Sequence, residues 1–213
     1  MGKLKKIGSD IWFDLEPGET LNLRHGTALT WFGPRETLTS SSVKSFGTNL
    51  KNSLFGLPLF ENEISVSEPT KLLARAGTIN EIWELELDDT PVFFKGGCYL
   101  GHQGDISLNL RKLNFNDFLY LVEPKGTGKI YLSFPTNILG LPLKGRTICT
   151  SKYTIALIKG EPEFKNYTVK KEFKDLFKKG GWTRMTSSEI SQAEEIYIYG
   201  GSVTSLLSTD SDE

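Results

Sequence analysis

The sequence has few of the residues that build metal sites and disulfide frameworks. It holds two histidines, His25 and His102, and two cysteines, Cys98 and Cys149. Neither type shows the close spacings of zinc ligands, so a metal site is not expected, and this argues against a cupin-like enzyme. Two distant cysteines in apolar stretches favour small buried core residues in a reducing compartment. We predict that both histidines are exposed loop residues.

Charge of one sign and long hydrophobic runs are also missing. The 25 basic and 26 acidic residues leave a formal net charge of -1. This balance argues against bulk nucleic-acid binding, and no specific nucleic-acid partner is expected. No apolar run approaches the roughly 18 residues that span a bilayer, and no apolar segment of a secretory signal follows the basic start MGKLKKIGSD. We therefore predict a soluble, cytoplasmic protein.

Catalytic motifs are lacking as well. No GxSxG motif is present, and the GTGK at Gly126–Lys129 lacks the longer frame of a P-loop. Ile130 stands where a P-loop has Ser or Thr, and a strand-like run follows where a P-loop has a helix. We interpret Gly126–Lys129 as a hairpin turn. No catalytic residue, metal ligand or cofactor is predicted, and the chain is not expected to be an enzyme.

Short runs with a hydrophobic period of two fill most of the chain. IWFDL (11–15) precedes the turn EPGE, and TLNLRHGTALTWF indicates two strands with a break at His25-Gly26. Val, Ile, Thr, Tyr and Phe are frequent in these runs, which predicts an all-β fold. We expect a single β domain over residues 1–205, an acidic flexible tail at 206–213 and a long loop at 33–56. Further strand-like runs are EISVSE, KLLARA, IWELEL, PVFF, ISLNLRK, FLYLVE, GKIYLSF, TICTSKYTIALIK and EEIYIYGG.

One stretch, residues 167–179, has helical periodicity instead. Its apolar residues recur at helical spacing, lysines occupy the other positions, and Gly180-Gly181 supplies a stop. We predict a short amphipathic helix, which either meets an anionic membrane or nucleic acid, or only covers an open end of the β core. The candidate partner surface consists of Lys170, Lys171, Phe173, Lys174, Phe177 and Lys178.

An internal repeat is the most informative pattern. The windows that begin at Lys71 and Lys129, KLLARAGTINEIWEL and KIYLSFPTNILGLPL, keep their apolar positions in step at an offset of 58 residues. Two strand pairs follow them, DDTPVFFKGGCYLGH and KGRTICTSKYTIALI, and the N-terminal PGETLNLRHGTALTW has the same layout. Such repetition predicts a supersecondary unit whose copies pack together. The fold expected from this spacing is a sandwich or a rolled double sheet.

These windows resemble a known family, the altered inheritance of mitochondria protein family (the twenty-fourth of the yeast series). The PGE turn, the GTGKIYL run, the Gly-Arg before a strand and the closing IYGGSV run occur in the family's order. The resemblance spans nearly the whole chain and is carried by LEPGETLNLRHGTALTW, LFENEISVSEPTKLLARAGTINEIWELELDDTPVFFKGGCYLGH, LYLVEPKGTGKIYLSFPTNILGLPLKGRTICTSKYTIALIKG and EEIYIYGGSVTSLL.

The resemblance implies a fold like that of the trp RNA-binding attenuation protein, a double-stranded β-helix or rolled β-sandwich. It also implies a role in organising membranes or assemblies, and a mitochondrial location if the source is eukaryotic. It assigns no catalytic residue. We therefore expect a non-enzymatic scaffold or binding protein that self-associates. The number of copies stays open, although a trimer or larger ring would suit the fold relatives. The alternative is a small-ligand-binding or enzymatic β-barrel with a pocket inside the roll.

Overall fold

The computed structural model describes residues 4–44, 56–58, 60–76, 80–88, 90–114, 119–151, 154–168 and 186–199. Within these ranges the regular elements are strands, apart from two 3-10 turns, Arg35–Thr37 and Gly96–Cys98. The predicted all-β fold is confirmed. The strands are β1 (Leu4–Gly8), β2 (Asp10–Leu15), β3 (Thr20–Arg24), β4 (Ala28–Phe32), β5 (Leu38–Lys44), β6 (Phe60–Val66), β7 (Thr70–Arg75), β8 (Asn80–Glu86), β9 (Val92–Phe94), β10 (Tyr99–Asn114), β11 (Leu119–Pro135), β12 (Ile138–Pro142), β13 (Ile148–Ser151), β14 (Ile155–Lys159), β15 (Glu163–Thr168), β16 (Thr186–Ser191) and β17 (Glu195–Tyr199).

The chain divides into two compact units. The first consists of residues 1–111 and 120–136, and the second of residues 112–119 and 137–213. The single domain over residues 1–205 stays a prediction, and the acidic tail at 206–213 lies outside the described residues. No helix in the described part of the chain is long and apolar enough to cross a membrane.

The first unit contains two antiparallel sheets. One has the strand order β2-β7-β4, and the other follows the path β9-β11-β10-β3-β6-β5. β8 joins the second path by pairing with β11, and β1 pairs with β8. Alternation along β2 buries Ile11, Phe13 and Leu15, because this face of the strand is turned toward the second sheet.

The core of the first unit lies between its two sheets. The ring of Phe13 on β2 meets the ring of Tyr131 on β11 edge to face, with centroids 4.8 Å apart. Because one side of β2 and β7 packs against this core, their alternate residues face outward. The core cluster consists of Ile11, Phe13, Leu15, Leu21, Leu23, Ile64, Val66, Leu72, Ala74, Ala76, Ile82, Leu100 and Tyr131.

The second unit repeats the strand order of the first. Its sheets are β12-β17-β14 and β13-β16-β15, which match β2-β7-β4 and β3-β6-β5 when every strand number is raised by ten. The predicted likeness of PGETLNLRHGTALTW to KGRTICTSKYTIALI agrees with this match, because these runs form β3–β4 and β13–β14. The chain therefore contains two copies of one six-strand unit.

The 58-residue offset between Lys71 and Lys129 is not the spacing of this repeat. The first window forms β7 and β8, and the second forms the end of β11 and β12. β7 lies between β2 and β4, whereas this part of β11 pairs with β8. Any two half-buried strands have apolar residues at every second position. The matching hydrophobic pattern therefore aligned two segments that are not equivalent in the fold.

Two further expectations need correction. Residues 38–44, part of the predicted loop at 33–56, form β5, which pairs with β6 over seven residues. The predicted helix at 167–179 does not begin at Tyr167, because Tyr167 and Thr168 pair with β16 as the end of β15. The rest of that segment lies outside the described residues.

The predicted hairpin turn at Gly126–Lys129 is also wrong, because β11 runs unbroken through it. Gly126 and Gly128 have φ values of +121° and +140°, in a region that other residues rarely adopt. A Cβ on Gly126 would overlap the carbonyl oxygen of Asp105, and one on Gly128 would overlap that of Gln103. The glycines let β11 approach β10 closely instead of reversing the chain.

We predict that Gly126→Ala lowers the free energy of unfolding by about 2–4 kcal/mol, from backbone strain together with the overlap. Gly18→Ala is the matched control. Gly18 has φ +91°, but a methyl group added there would meet no atom within 4 Å, so only strain remains, about 1–2 kcal/mol. Urea unfolding measures both variants. Equal losses would show that β10 and β11 do not approach closely at Gly126.

Candidate functional site

A small polar cleft opens in the first unit where several strands end. It has a volume of about 230 Å³, below the roughly 300–1,000 Å³ typical of sites for drug-sized ligands. The turn between β3 and β4 forms one wall, and Thr27 holds this turn by donating its backbone N–H and its hydroxyl to the carbonyl oxygen of Arg24. The cleft is lined by Arg24, His25, Gly26, Thr27, Arg75, Ala76, Asn80, Gly97, Tyr99, Leu100 and Ser133.

Hydrogen-bond donors converge on this cleft. Arg24 donates from Nη1 to the carbonyl oxygen of Gly97 at 3.2 Å, which leaves its other N–H groups for a ligand. Asn80 donates from Nδ2 to Ser133 Oγ at 3.1 Å. Arg75 is held by Asp10, with Nε to Oδ1 at 2.6 Å and Nη2 to Oδ2 at 3.1 Å. The cleft can therefore offer positive charge and oriented N–H groups.

Beneath the cleft lies a buried polar cluster of Glu61, Tyr99 and His102. Glu61 is 2% exposed and His102 is 4% exposed. Tyr99 Oη and His102 Nδ1 are 2.5 Å apart, and Tyr99 is also hydrogen-bonded to the Glu61 carboxylate. Since a carboxylate only accepts, the Tyr99 hydroxyl donates to Glu61 and accepts from Nδ1–H of a neutral imidazole.

Burial controls the ionisation of this cluster. It lowers the pKa of His102 to about 4, because a charged imidazolium is poorly solvated in the interior. Burial, followed by the nearby Glu61 carboxylate, raises the pKa of Tyr99 well above its usual value. Both groups therefore stay neutral near pH 7. They support the cleft floor structurally, since the Tyr99 hydroxyl and the His102 Nδ1 are engaged with each other.

The second notable feature is the outward face of the β2-β7-β4 sheet. Trp12 and Phe32 are 51% and 68% exposed, and their rings stack with centroids 5.7 Å apart. Half-buried Leu73 stands beside Trp12 on β7. Large side chains that stack in solvent form an apolar patch, which is a common mark of an interaction surface. We call this surface the aromatic face: Trp12, Leu73 and Phe32.

Charged pairs flank the aromatic face on both sides. Asp10 pairs with Arg75, and Asp14 pairs with Lys71 at 3.2 Å between Oδ1 and Nζ. Both acids lie on β2 and both bases on β7, in facing register positions. The outward face thus carries an acidic stripe beside a basic stripe. Trp12 and Leu73 lie between the ends of the stripes, and Phe32 lies on β4 beside Lys71.

The corresponding sheet of the second unit does not repeat this pattern. In the second unit, the residue that corresponds to Trp12 is Leu139 on β12. Leu139 pairs with Ile198 just as Trp12 pairs with Leu73, and it is 52% exposed. β12 has the sequence ILGLP and carries no charged residue. The combination of stacked aromatics and charge stripes is therefore particular to the first unit among the described strands.

The predicted partner surface, Lys170, Lys171, Phe173, Lys174, Phe177 and Lys178, lies outside the described residues. Cys98 is buried, as predicted, and the side chain of Cys149 lies outside the described part. His25 is exposed, with Nδ1 donating to Asn62 Oδ1 at 3.3 Å. The prediction that His102 is an exposed loop residue is wrong, because it lies on β10 in the buried cluster.

Three residues that the structure singles out were not predicted: Arg24, Trp12 and Phe32. A signal was available for each. Arg24 immediately precedes the break at His25-Gly26, where a strand end brings a side chain toward a turn. Trp12 and Phe32 occupy the polar positions of alternating strands, where an aromatic residue is unexpected. Within the described residues, no group of three or more His, Cys, Asp or Glu side chains could hold a metal ion.

Comparison with known proteins gives a fold but no family. No family model matches the sequence, and no curated protein matches it. The chain is similar to a crystal structure of a Streptococcus pyogenes protein that was determined as a structural genomics target. That likeness has a TM-score of 0.66 and 17% sequence identity, and it covers 98% of each chain. At 17% identity, this similarity indicates a shared fold and says nothing about function.

The buried cluster predicts a defined pH dependence of stability. Between pH 6.5, the usual pKa of histidine, and about 4, the pKa of His102, the unfolded chain binds a proton that the folded chain does not. Stability therefore falls as the pH falls through this window, by up to about 3 kcal/mol for this group.

Replacing His102 with Gln removes this contribution. The free-energy difference between the parent protein and His102→Gln, measured by urea unfolding, should shrink by about 3 kcal/mol between pH 7 and pH 4. His25→Gln is the control for replacing a histidine at an exposed position. A His102→Gln difference that does not change with pH would contradict the burial of a neutral imidazole.

Proposed function

We propose that this protein is a non-enzymatic scaffold or binding protein that self-associates through the aromatic face. The observation that carries the proposal is the pair of exposed stacked rings, Trp12 and Phe32, on a sheet face that also carries an acidic and a basic stripe. Solvent exposure of this apolar area costs free energy in the isolated chain, and a second copy would remove it from water.

The stripes favour a second copy as the occupant. A twofold axis along the strand direction, between β2 and β7, sets the acidic β2 of each copy opposite the basic β7 of its partner. Asp14 of one copy then faces the partner's Lys71 across two sheets packed about 10 Å apart. The surface is thus self-complementary, which is the requirement of an isologous dimer.

The size of the face sets the expected strength. The proposed axis lays β2 and β7 of one copy on β7 and β2 of the other. Two strands spaced about 4.8 Å apart and five residues long, at about 3.4 Å each, cover roughly 160 Å². Stable interfaces bury about 800 Å² on each partner. We therefore expect a concentration-dependent dimer of micromolar or weaker affinity from this face alone.

We also propose a more specific fold and a family relationship for this protein. The matching order of β2–β7 and β12–β17 supports a double-stranded β-helix or rolled β-sandwich used twice. The motif resemblance to the altered inheritance of mitochondria protein family supports an assembly role. The cytoplasmic location, a trimer or larger ring, and contact of the lysine-rich segment 167–179 with anionic membranes stay predictions.

We predict that Trp12→Ser weakens dimerisation at least about thirtyfold, because loss of a central aromatic at an interface costs about 2 kcal/mol or more. Sedimentation velocity over a range of concentrations measures the effect. Leu139→Ser is the control, because it removes an equally exposed apolar side chain from the corresponding strand of the second unit. Equal association of the parent protein and Trp12→Ser, or a monomeric parent, would overturn the proposal.

Charge reversal tests the orientation of the two copies. Lys71→Glu places a carboxylate opposite the partner's Asp14 and should weaken the dimer, whereas the double variant Lys71→Glu/Asp14→Lys restores opposite charges and should recover it. Added salt should weaken the parent dimer as well. A double variant that associates no better than Lys71→Glu would rule out this arrangement, even if the aromatic face is used.

A further inference from the structure

The cleft around Arg24 has a chemistry that the proposed self-association does not use. Among the described residues, its lining includes two arginines and one histidine but no Asp or Glu. The charge of Arg75 is paired with Asp10, so the positive charge that remains for a ligand is that of Arg24.

Arg24 is the key group of this cleft. The one hydrogen bond that its side chain makes among the described residues goes from Nη1 to the backbone oxygen of Gly97, and no described carboxylate lies within ion-pair distance of the guanidinium. Glu61 stands opposite Arg24 in the β3–β6 register, but that carboxylate is turned to the buried Tyr99 hydroxyl. The guanidinium is therefore positioned by the backbone and keeps its charge for a ligand.

The neighbours of Arg24 fix the kind of ligand. Asn80 and Ser133 are held together by their own hydrogen bond at 3.1 Å, and one amide hydrogen of Asn80 remains to donate. Arg75 uses Nε and Nη2 on Asp10 and retains N–H groups on Nη1. Several N–H donors around one point suit the oxygens of phosphate or a carboxylate, which accept from arginine in pairs.

We propose that this cleft binds a small oxyanion, either inorganic phosphate or a short carboxylic acid, with Arg24 as the principal contact. The volume of about 230 Å³ favours an ion or a short acid over a nucleotide, because larger ligands occupy larger pockets. Tyr99 lines the cleft, and its hydrogen bonds to Glu61 and His102 hold it in place. The apolar residues of the aromatic face are not part of the cleft lining, and the cleft shares only Arg75 with the basic stripe beside that face.

The test is isothermal titration of the full chain with inorganic phosphate, and separately with sulfate, acetate and succinate, in a buffer free of these ions. We expect saturable binding of one ion per chain with a dissociation constant of about 1 mM or tighter. Saturation by phosphate and sulfate alone indicates a tetrahedral oxyanion, and saturation by the acids alone indicates a carboxylate. Absence of saturable binding of all four ions up to about 10 mM would overturn the proposal.

Variants locate the site. Arg24→Gln should weaken binding at least tenfold, and Arg24→Lys should weaken it less, because a single ammonium keeps the charge but loses the paired N–H geometry. Arg146→Gln is the matched control at an exposed arginine of the second unit, and it should bind as the parent does. Equal weakening by Arg24→Gln and Arg146→Gln would show general surface adsorption and contradict the site.

Oxyanion binding in the cleft and self-association through the aromatic face can be tested independently. Arg24→Gln should leave sedimentation unchanged, and Trp12→Ser should leave oxyanion binding unchanged. Circular dichroism and thermal unfolding establish that Arg24→Gln is folded. If Arg24→Gln fails to fold, Arg24→Lys and Asn80→Ala still test the cleft, since each should weaken phosphate binding; binding that is unchanged in both would overturn the proposal.

Discussion

The first unit depends on one constraint, the alternation of side chains along strands that have a single face against the core. Phe13 meets Tyr131 across the two sheets, and this packing fixes which residues of β2 point inward. Every neighbouring residue must then point outward. Asp10, Trp12 and Asp14 consequently share one surface, and the same rule on β7 and β4 brings Leu73 and Phe32 beside them. The aromatic face is thus a direct consequence of the register that builds the core.

A comparison of the two units shows which features the fold requires and which are present in one unit alone. Both units have the same order of six strands, so that order is the requirement of the fold. Exposed Leu139 shows that an outward apolar residue at this position occurs in both copies. The charge stripes and the stacked second ring occur only in the first of the two described sheets. A feature that the fold does not require, and that its copy lacks, is better explained by binding than by stability.

The sequence predicted the elements whose stability is local. β2 and the β3–β4 pair have clear alternation and a turn between them, and both formed as expected. β5 was missed because its run LTSSSVK has few apolar residues, and pairing with β6 stabilises it from a distance in sequence. The hairpin at Gly126 was wrong because glycine marks close backbone approach as well as turns. His102 was misplaced, and Arg24 missed, because burial and clefts arise from contacts between distant strands.

The central claim is that Trp12 becomes covered by a second copy of the chain. Fluorine NMR of 5-fluorotryptophan-labelled protein over a concentration series observes this directly, with Trp12→Phe used to assign the Trp12 resonance. The account predicts that the Trp12 resonance moves as concentration rises, while that of Trp83, which packs edge to face on Phe134 in the first unit, stays fixed. A Trp12 resonance that is the same at every concentration would contradict the account.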